Sequence, residues 1–190
     1  ETIDLDLSTI NLNSHIEVKG LIEKSFEKHD EINFSIKEFK ELGDVDELGA
    51  AIIISFLTAT GQKNQFSIDI VYALPTDIVK VKSTLDGEVR FAASIENIVC
   101  DKLSASHQFK SGNTRMKDFD DLWRIVKSNI SIDTKKFNNL LLERKITGQL
   151  ELEWIEFLEE SWKRHVKPYK DVPKKLSIVF KDINDWLNGL

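Results

Sequence analysis

The chain has 190 residues, 41% of them hydrophobic and 31% charged, with 11 Phe and 4 Trp, which supplies a core and excludes wholesale disorder. Its single cysteine, Cys100, excludes an internal disulfide and a zinc–thiolate cluster, and no apolar run reaches the roughly 18 residues of a membrane span. The net charge of −6 argues against a generally basic nucleic-acid-binding protein. That charge is uneven: residues 1–100 hold 9 Lys/Arg against 18 Asp/Glu, and residues 101–190 hold 17 against 14. An acidic half before a basic half suits carboxylates holding a metal and cations holding phosphates; it equally suits two solvated faces of opposite sign. No basic n-region opens the chain, so no secretory signal is expected and the expected location is cytoplasmic.

Residues 1–7 alternate with period two and predict a strand, Ile3, Leu5 and Leu7 on one side and Asp4 and Asp6 on the other. Ser14-His15-Ile16-Glu17 is a capping box that opens a helix to about residue 28, with Ile16, Leu21, Ile22 and Phe26 as its apolar stripe. Residues 31–42 alternate in part, and 49–60 contain Ile52-Ile53-Ile54, apolar on both faces as in a buried strand. Gly61-Gln62-Lys63-Asn64 predicts a hairpin turn into a strand over 65–73 that carries Asp69 among apolar neighbours. Shorter strands are expected over 79–82 and 88–91 around Asp86-Gly87.

The period then becomes helical. Ser94 caps a helix to about residue 106, stripe Ile95, Ile98, Val99 and Leu103, and a loop follows over 107–114. Further helices are expected over 116–127, after Asp133, over 151–166, and from Pro173 in a first helical turn onward. The reading is an α+β chain with a mixed or antiparallel sheet, followed by a C-terminal helical region, divided as 1–128 and 129–190.

Asp4 and Asp6 form a D-x-D pair whose backbones stand about 6–7 Å apart. Such carboxylates either converge on a hard divalent cation or are simply solvated. Asp69, between apolar neighbours, either shares that metal or faces water, because an unpaired buried charge is costly. Lys102 borders an apolar stripe, where it either snorkels or enters a cleft. In Arg115-Met116-Lys117-Asp118-Phe119-Asp120-Asp121-Leu122 the acids suit a helix start, and Lys117 with Asp121 makes an i,i+4 pair. Arg115 gains nothing from the helix dipole. His15, His29, His107 and His165 have no spacing for zinc or a triad and read as surface or satisfied histidines; the aromatic residues of the helical half read as core.

Glu96-Asn97-Ile98-Val99-Cys100-Asp101-Lys102-Leu103, with the later Arg115–Leu122 segment, resembles the E-x-x-x-A-E-K-L…R-x-K-D-(F/Y)-x-D-L pattern of the nucleotidyltransferase AbiEii/AbiGii toxin family. The D-x-D of Asp4 and Asp6 and the later acid Asp69 match that family's acidic strands, and the resemblance covers nearly the whole chain. It departs at Asp101, where the family has Glu. The family's Gly-Ser or Gly-Gly element ahead of D-x-D is absent, so the resemblance implies an N-terminally truncated core.

The resemblance implies a polymerase-beta-like nucleotidyltransferase that moves an NMP from an NTP to an acceptor hydroxyl. Asp4 and Asp6 would hold Mg²⁺ (or Mn²⁺), and Asp69 the ion beside the attacking hydroxyl. Lys102, Arg115 and Lys117 would bind the nucleotide phosphates, with Asp118 orienting the cations and Asp121 structural. It further implies RNA, tRNA in particular, as acceptor, a toxin–antitoxin or abortive-infection setting, and a cognate antitoxin. Lys163-Arg164-His165, Lys167, Lys170 and Lys174-Lys175 form a basic stretch that either tracks phosphates or is a solvated helix end. Competing readings are transfer to a small-molecule or protein hydroxyl, and a catalytically inactive binding module of the same fold.

Overall fold

The computed structural model describes residues 4–8, 14–26, 31–44, 47–72, 77–84 and 87–190, and the side chains of these except Asp4, Leu5, Asp6, Ser8, Asp44, Glu47 and Leu48. The chain divides into two compact units, Glu1–Pro75 and Thr76–Leu190. The architecture is α+β, with small sheets followed by helices, as the change of period predicts.

The first unit is a four-stranded sheet in the order β1-β4-β3-β2, built from β1 (Asp4–Ser8), β2 (Ile32–Asp44), β3 (Glu47–Thr58) and β4 (Lys63–Val71). β2, β3 and β4 form an antiparallel meander, and β1 joins the edge of β4 in parallel. The β3–β4 connection turns where Gly61 adopts φ +82°, a conformation that L side chains resist. The β2–β3 pairing shifts register between Ile36 and Glu38.

One face of this sheet is apolar. Ala50, Ile52, Ile54, Ile68 and Ile70 are buried with Val18 of α1 (His15–Phe26). The Ser14 hydroxyl accepts from the Glu17 amide, so the capping box starts this helix as expected. Its buried stripe differs from the expected one: Ile16 and Leu21 are exposed, and Val18, Ile22 and Phe26 pack inward at four-residue steps. Ile22 and Phe26 fix the helix rotation, and Ile16 lies too far around the helix to join them. Ile53 is half-buried while Ile52 and Ile54 are buried, so β3 has one inner face.

The second unit opens with an antiparallel hairpin of β5 (Ile78–Lys82) and β6 (Val89–Ala93). Five helices follow: α2 (Ile95–Phe109), α3 (Met116–Lys127), α4 (Thr134–Arg144), α5 (Ile155–His165) and α6 (Leu176–Asn188). Ser94 caps α2 by accepting from the Asn97 amide, and Asp133 caps α4 by accepting from the Lys136 amide. α2 runs to Phe109 and passes into a 3-10 turn at Lys110–Gly112, leaving a shorter loop than expected.

The helical core gathers Val99, Leu103, Phe119, Leu122, Leu158, Trp162, Leu176, Val179, Phe180 and Ile183. Trp123 and Lys127 of α3 both reach Asp182 of α6 (2.9 and 2.7 Å), which holds that carboxyl below its ordinary pKa. Pro173 does not enter the last helix: its carbonyl accepts from the Trp162 indole (3.0 Å), and Lys175 is still extended before α6 begins. Among the described residues no helix is long and apolar enough to cross a membrane.

Two results are expected. A Cβ at position 49 would stand 2.5 Å from the Ile70 carbonyl oxygen, so Gly49→Ala should cost about 1–3 kcal/mol, read as lost hydrogen-exchange protection of β3 and β4 amides. Cys100 is fully buried, and burial above all pushes its thiol up to about 12, with Arg144 pulling it down and Asp101 and Glu96 adding to the rise. Its thiolate should be about a thousandfold scarcer than that of an ordinary cysteine. A disulfide reagent at pH 8 should label it only after denaturation.

Candidate active site

The acidic strands lie in the first unit. β1 and β4 run parallel with Asp6 opposite Asp69 and Asp4 opposite Ser67. Positions that face each other across a parallel pair share a side, and alternation puts 4 beside 6 and 67 beside 69. Positions 4, 6, 67 and 69 therefore form one row on one face. The other face at this point is the apolar one, with Ile68 and Ile70 buried. Asp69 is exposed, so of the two environments open to it the sheet supplies the wet one. The side chains of Asp4 and Asp6 lie outside those described, and the backbone register is what the strands contribute. Oxygen donors in such a row have the chemistry that Mg²⁺ or Mn²⁺ requires.

The cations lie in the second unit. α2 puts Lys102 one position from the buried Leu103, and its side chain is 20% exposed. α3 presents Asp118 and Asp121 on one face, three residues apart. Lys102 Nζ donates to Asp121 Oδ2 at 2.7 Å and to Asp118 Oδ1 at 3.1 Å. Burial is the largest single influence on this ammonium and works against it. The hydrogen bond and charge of Asp121, with those of Asp118, outweigh burial and hold Lys102 above its ordinary pKa. It is a fixed cation at neutral pH, not a base or nucleophile.

Arg115 is the residue before α3, with φ −87° and ψ 62°, outside helical geometry. Its Nε stands 2.9 Å from Asp118 Oδ2. The N–H is not aimed at that oxygen, and buried Oδ2 receives no well-aligned hydrogen bond. This is an ion pair by distance, worth less than a bidentate fork. The position accounts for an arginine at a helix start: it balances a carboxylate that is only 7% exposed. Arg115 is itself 62% exposed, so most of its fork faces outward.

The predicted pairing of Lys117 with Asp121 does not form. Asp121 turns to Lys102 on the inner side of α3, while Lys117 is exposed and has no ion pair among the described residues. Thus Lys102, Arg115, Asp118 and Asp121 come together, and Lys117 stands at the surface of the same helix turn. Two cations and two carboxylates make this group formally neutral.

Three further polar networks were not legible as sites. Buried Glu96 accepts from the Asp133 amide at 2.9 Å, tying α2 to the start of α4. Arg144 joins Asn97 (2.9 Å) and Asp101 (2.6 Å), which gives the Asp101 position a structural partner. Buried Asp120 accepts from Arg124 (2.8 Å) and meets His165 Nε2 (3.2 Å), while Arg124 also reaches Asp171 (2.8 Å). Of these contacts, the i,i+4 spacing of Asp120 and Arg124 is a sequence signal; His165, forty-five positions away, gives none. Contacts of this kind also reduce the basic stretch, from which His165 is drawn to Asp120. Lys174 donates to the Val166 and Tyr169 carbonyls, Lys163 pairs with Glu160, and Lys167, Lys170 and Lys175 remain exposed.

Comparison with protein families shows that the family described as nucleotidyl transferase AbiEii toxin, type IV TA system, matches residues 1–184. No curated protein matches the chain.

Removing Lys102 from this half-buried ion group leaves Asp121 uncompensated and Asp118 with Arg115 alone. Lys102→Met should therefore destabilise the second unit by about 3 kcal/mol, measured by denaturant unfolding followed through tryptophan fluorescence, since all four Trp lie at 123–186. Asp118→Asn in the same chain should restore part of that loss. Because Lys102 is held above its ordinary 10.5, its contribution is present below about pH 10.5 and is lost as pH rises through the higher folded value. The gap between wild type and Lys102→Met should be constant from pH 7 to 9.5 and shrink above that range.

Proposed function

The chain belongs to the nucleotidyl transferase AbiEii toxin family of type IV toxin–antitoxin systems, and from that premise we propose that it transfers an NMP from an NTP to an acceptor hydroxyl on RNA with the help of a divalent metal. A family of nucleotidyltransferase toxins implies a cognate antitoxin. The observation that carries the metal-site reading is the register of β1 on β4, which sets position 6 beside Asp69 and position 4 on the same face.

In this reading Asp4, Asp6 and Asp69 hold Mg²⁺ or Mn²⁺, whose donor preference they fit. When bound, such an ion lowers the pKa of an attacking hydroxyl and offsets charge on the leaving pyrophosphate. The acceptor oxygen forms a bond to the α-phosphorus as the α–β bridging P–O bond breaks, pyrophosphate departs with the bonding pair, and the hydroxyl proton leaves to water. Asp69 is exposed on the acidic face and would bind the ion beside the hydroxyl.

Lys102 offers a permanent charge to the triphosphate, and Asp118 and Asp121 hold its ammonium in place so that little reorganisation is needed. Because that group is neutral overall, net attraction for a polyanion comes from Lys117, while the outward fork of Arg115 offers donors to a phosphate. The catalytic core would draw on residues 1–128, with 129–190 as a supporting helical region.

Asp69→Asn should abolish metal-dependent transfer of label from α-³²P NTPs to RNA while the chain still folds, read as an unchanged far-UV circular dichroism spectrum. Unchanged turnover in that variant would remove Asp69 from the mechanism. Lys117→Gln should raise the KM for NTP several-fold with little effect on kcat, as expected of a surface contact to phosphate.

A further inference from the structure

The β5–β6 hairpin carries apolar surface that the helical core does not use. Among the described residues its strands pair only with each other, and two-stranded hairpins are marginal alone. The register sets Lys80 opposite Phe91 and Lys82 opposite Val89. Alternation puts Ile78, Lys80, Lys82, Val89, Phe91 and Ala93 on one face. On that face Phe91 is 69% exposed and Val89 63%.

What sets Phe91 apart is the charge that flanks it. Lys80 Nζ lies over the Phe91 ring, 5.7 Å from its centroid. Lys80 and Lys82 have no ion pair among the described residues. Glu88, just before β6, has a partner of its own. The two lysine backbones are about 7 Å apart along the strand, close to the separation of successive phosphates in a stretched single strand.

We propose that this hairpin face is a docking platform for single-stranded RNA, in which a base stacks on Phe91 and the adjoining phosphates meet Lys80 and Lys82. The chemistry is that of sequence-tolerant single-strand binding, an aromatic face beside unpaired cations. A protein partner would have to cover two lysines with no apolar use for them, whereas a polyanion with planar bases uses both features. The choice of RNA rests on the acceptor in the proposed function.

The test is fluorescence anisotropy of the full chain with an unstructured 12-nucleotide RNA, in metal-free buffer without NTP. Phe91→Leu, which keeps an apolar side chain but removes the ring, should weaken binding at least about fivefold, the loss of one stacked base. Phe91→Trp should bind at least as tightly as wild type. In the Lys80→Gln/Lys82→Gln chain, the slope of log K against log salt should fall in magnitude by about 1.4, roughly 0.7 per cation on a single strand. The proposal is overturned by wild-type affinity in Phe91→Leu, by an unchanged salt slope, or by tighter binding of duplex RNA or of DNA of the same sequence. Because binding is read without metal or nucleotide, Phe91-dependent RNA binding together with no label transfer in a separate assay supplied with Mg²⁺ or Mn²⁺ and α-³²P NTPs would sink the proposed function alone. Asp69-dependent transfer with no effect of the hairpin variants would sink the docking platform alone.

Discussion

Parallel pairing of β1 with β4 is the constraint on which the acidic part of the candidate site depends. A strand has a period of two, so a slip of one residue would carry positions 4 and 6 from the face of Asp69 to the face of Ile68 and Ile70. The register is held from below: Ile68 and Ile70 are committed to the core with Ile52, Ile54 and Val18, which leaves Ser67 and Asp69 on the opposite side. The packing of one face thus specifies the chemistry of the other. Gly49 belongs to the same device, since a side chain there would push against the β4 backbone.

In the second unit the governing problem is a carboxylate set against an apolar core. Asp118 is nearly buried at the start of α3, beside the fully buried Phe119. Lys102 from α2 and Arg115 from the preceding turn neutralise it, and Asp121 completes the coordination of the ammonium. The result is a cation that is held still and kept charged. These are the properties electrostatic stabilisation of a phosphate asks for, and they are also what stability of the α2–α3 packing asks for. Asp120, Arg124 and His165 repeat the solution on the next side of α3, where the partner comes from α5.

Where an expectation rested on local chemistry, the structure agrees with it. Ser14, Ser94 and Asp133 cap helices because a short side-chain oxygen reaches an amide three residues on, a relation contained in a few adjacent residues. The Gly61 and Gly87 turns are local in the same way, each glycine taking a positive φ. Expectations that depended on which of several equivalent neighbours wins did not hold. Lys117 and Asp121 have ideal spacing for each other, yet Asp121 chooses Lys102, nineteen positions away, where the medium is drier and the interaction stronger. Ile16 suits an apolar stripe, but the helix is rotated by Val18, Ile22 and Phe26 against the sheet. Pro173 suits a first helical turn, but its carbonyl is taken by Trp162.

The sequence by itself determined the α+β order, the starts of the helices capped by Ser14, Ser94 and Asp133, the alternation that sets Asp4 with Asp6 and Asp69 with Ser67, and the family pattern around Lys102 and Arg115. These follow from backbone periods and capping chemistry, which act over a few residues. Only the tertiary structure decided that β1 lies along β4 in the register that makes one acidic row, that Lys102 is shared by Asp118 and Asp121, and that Asp120 meets His165. Such contacts join residues that are far apart in the chain, and their partners are selected by burial, register and the low dielectric of the core.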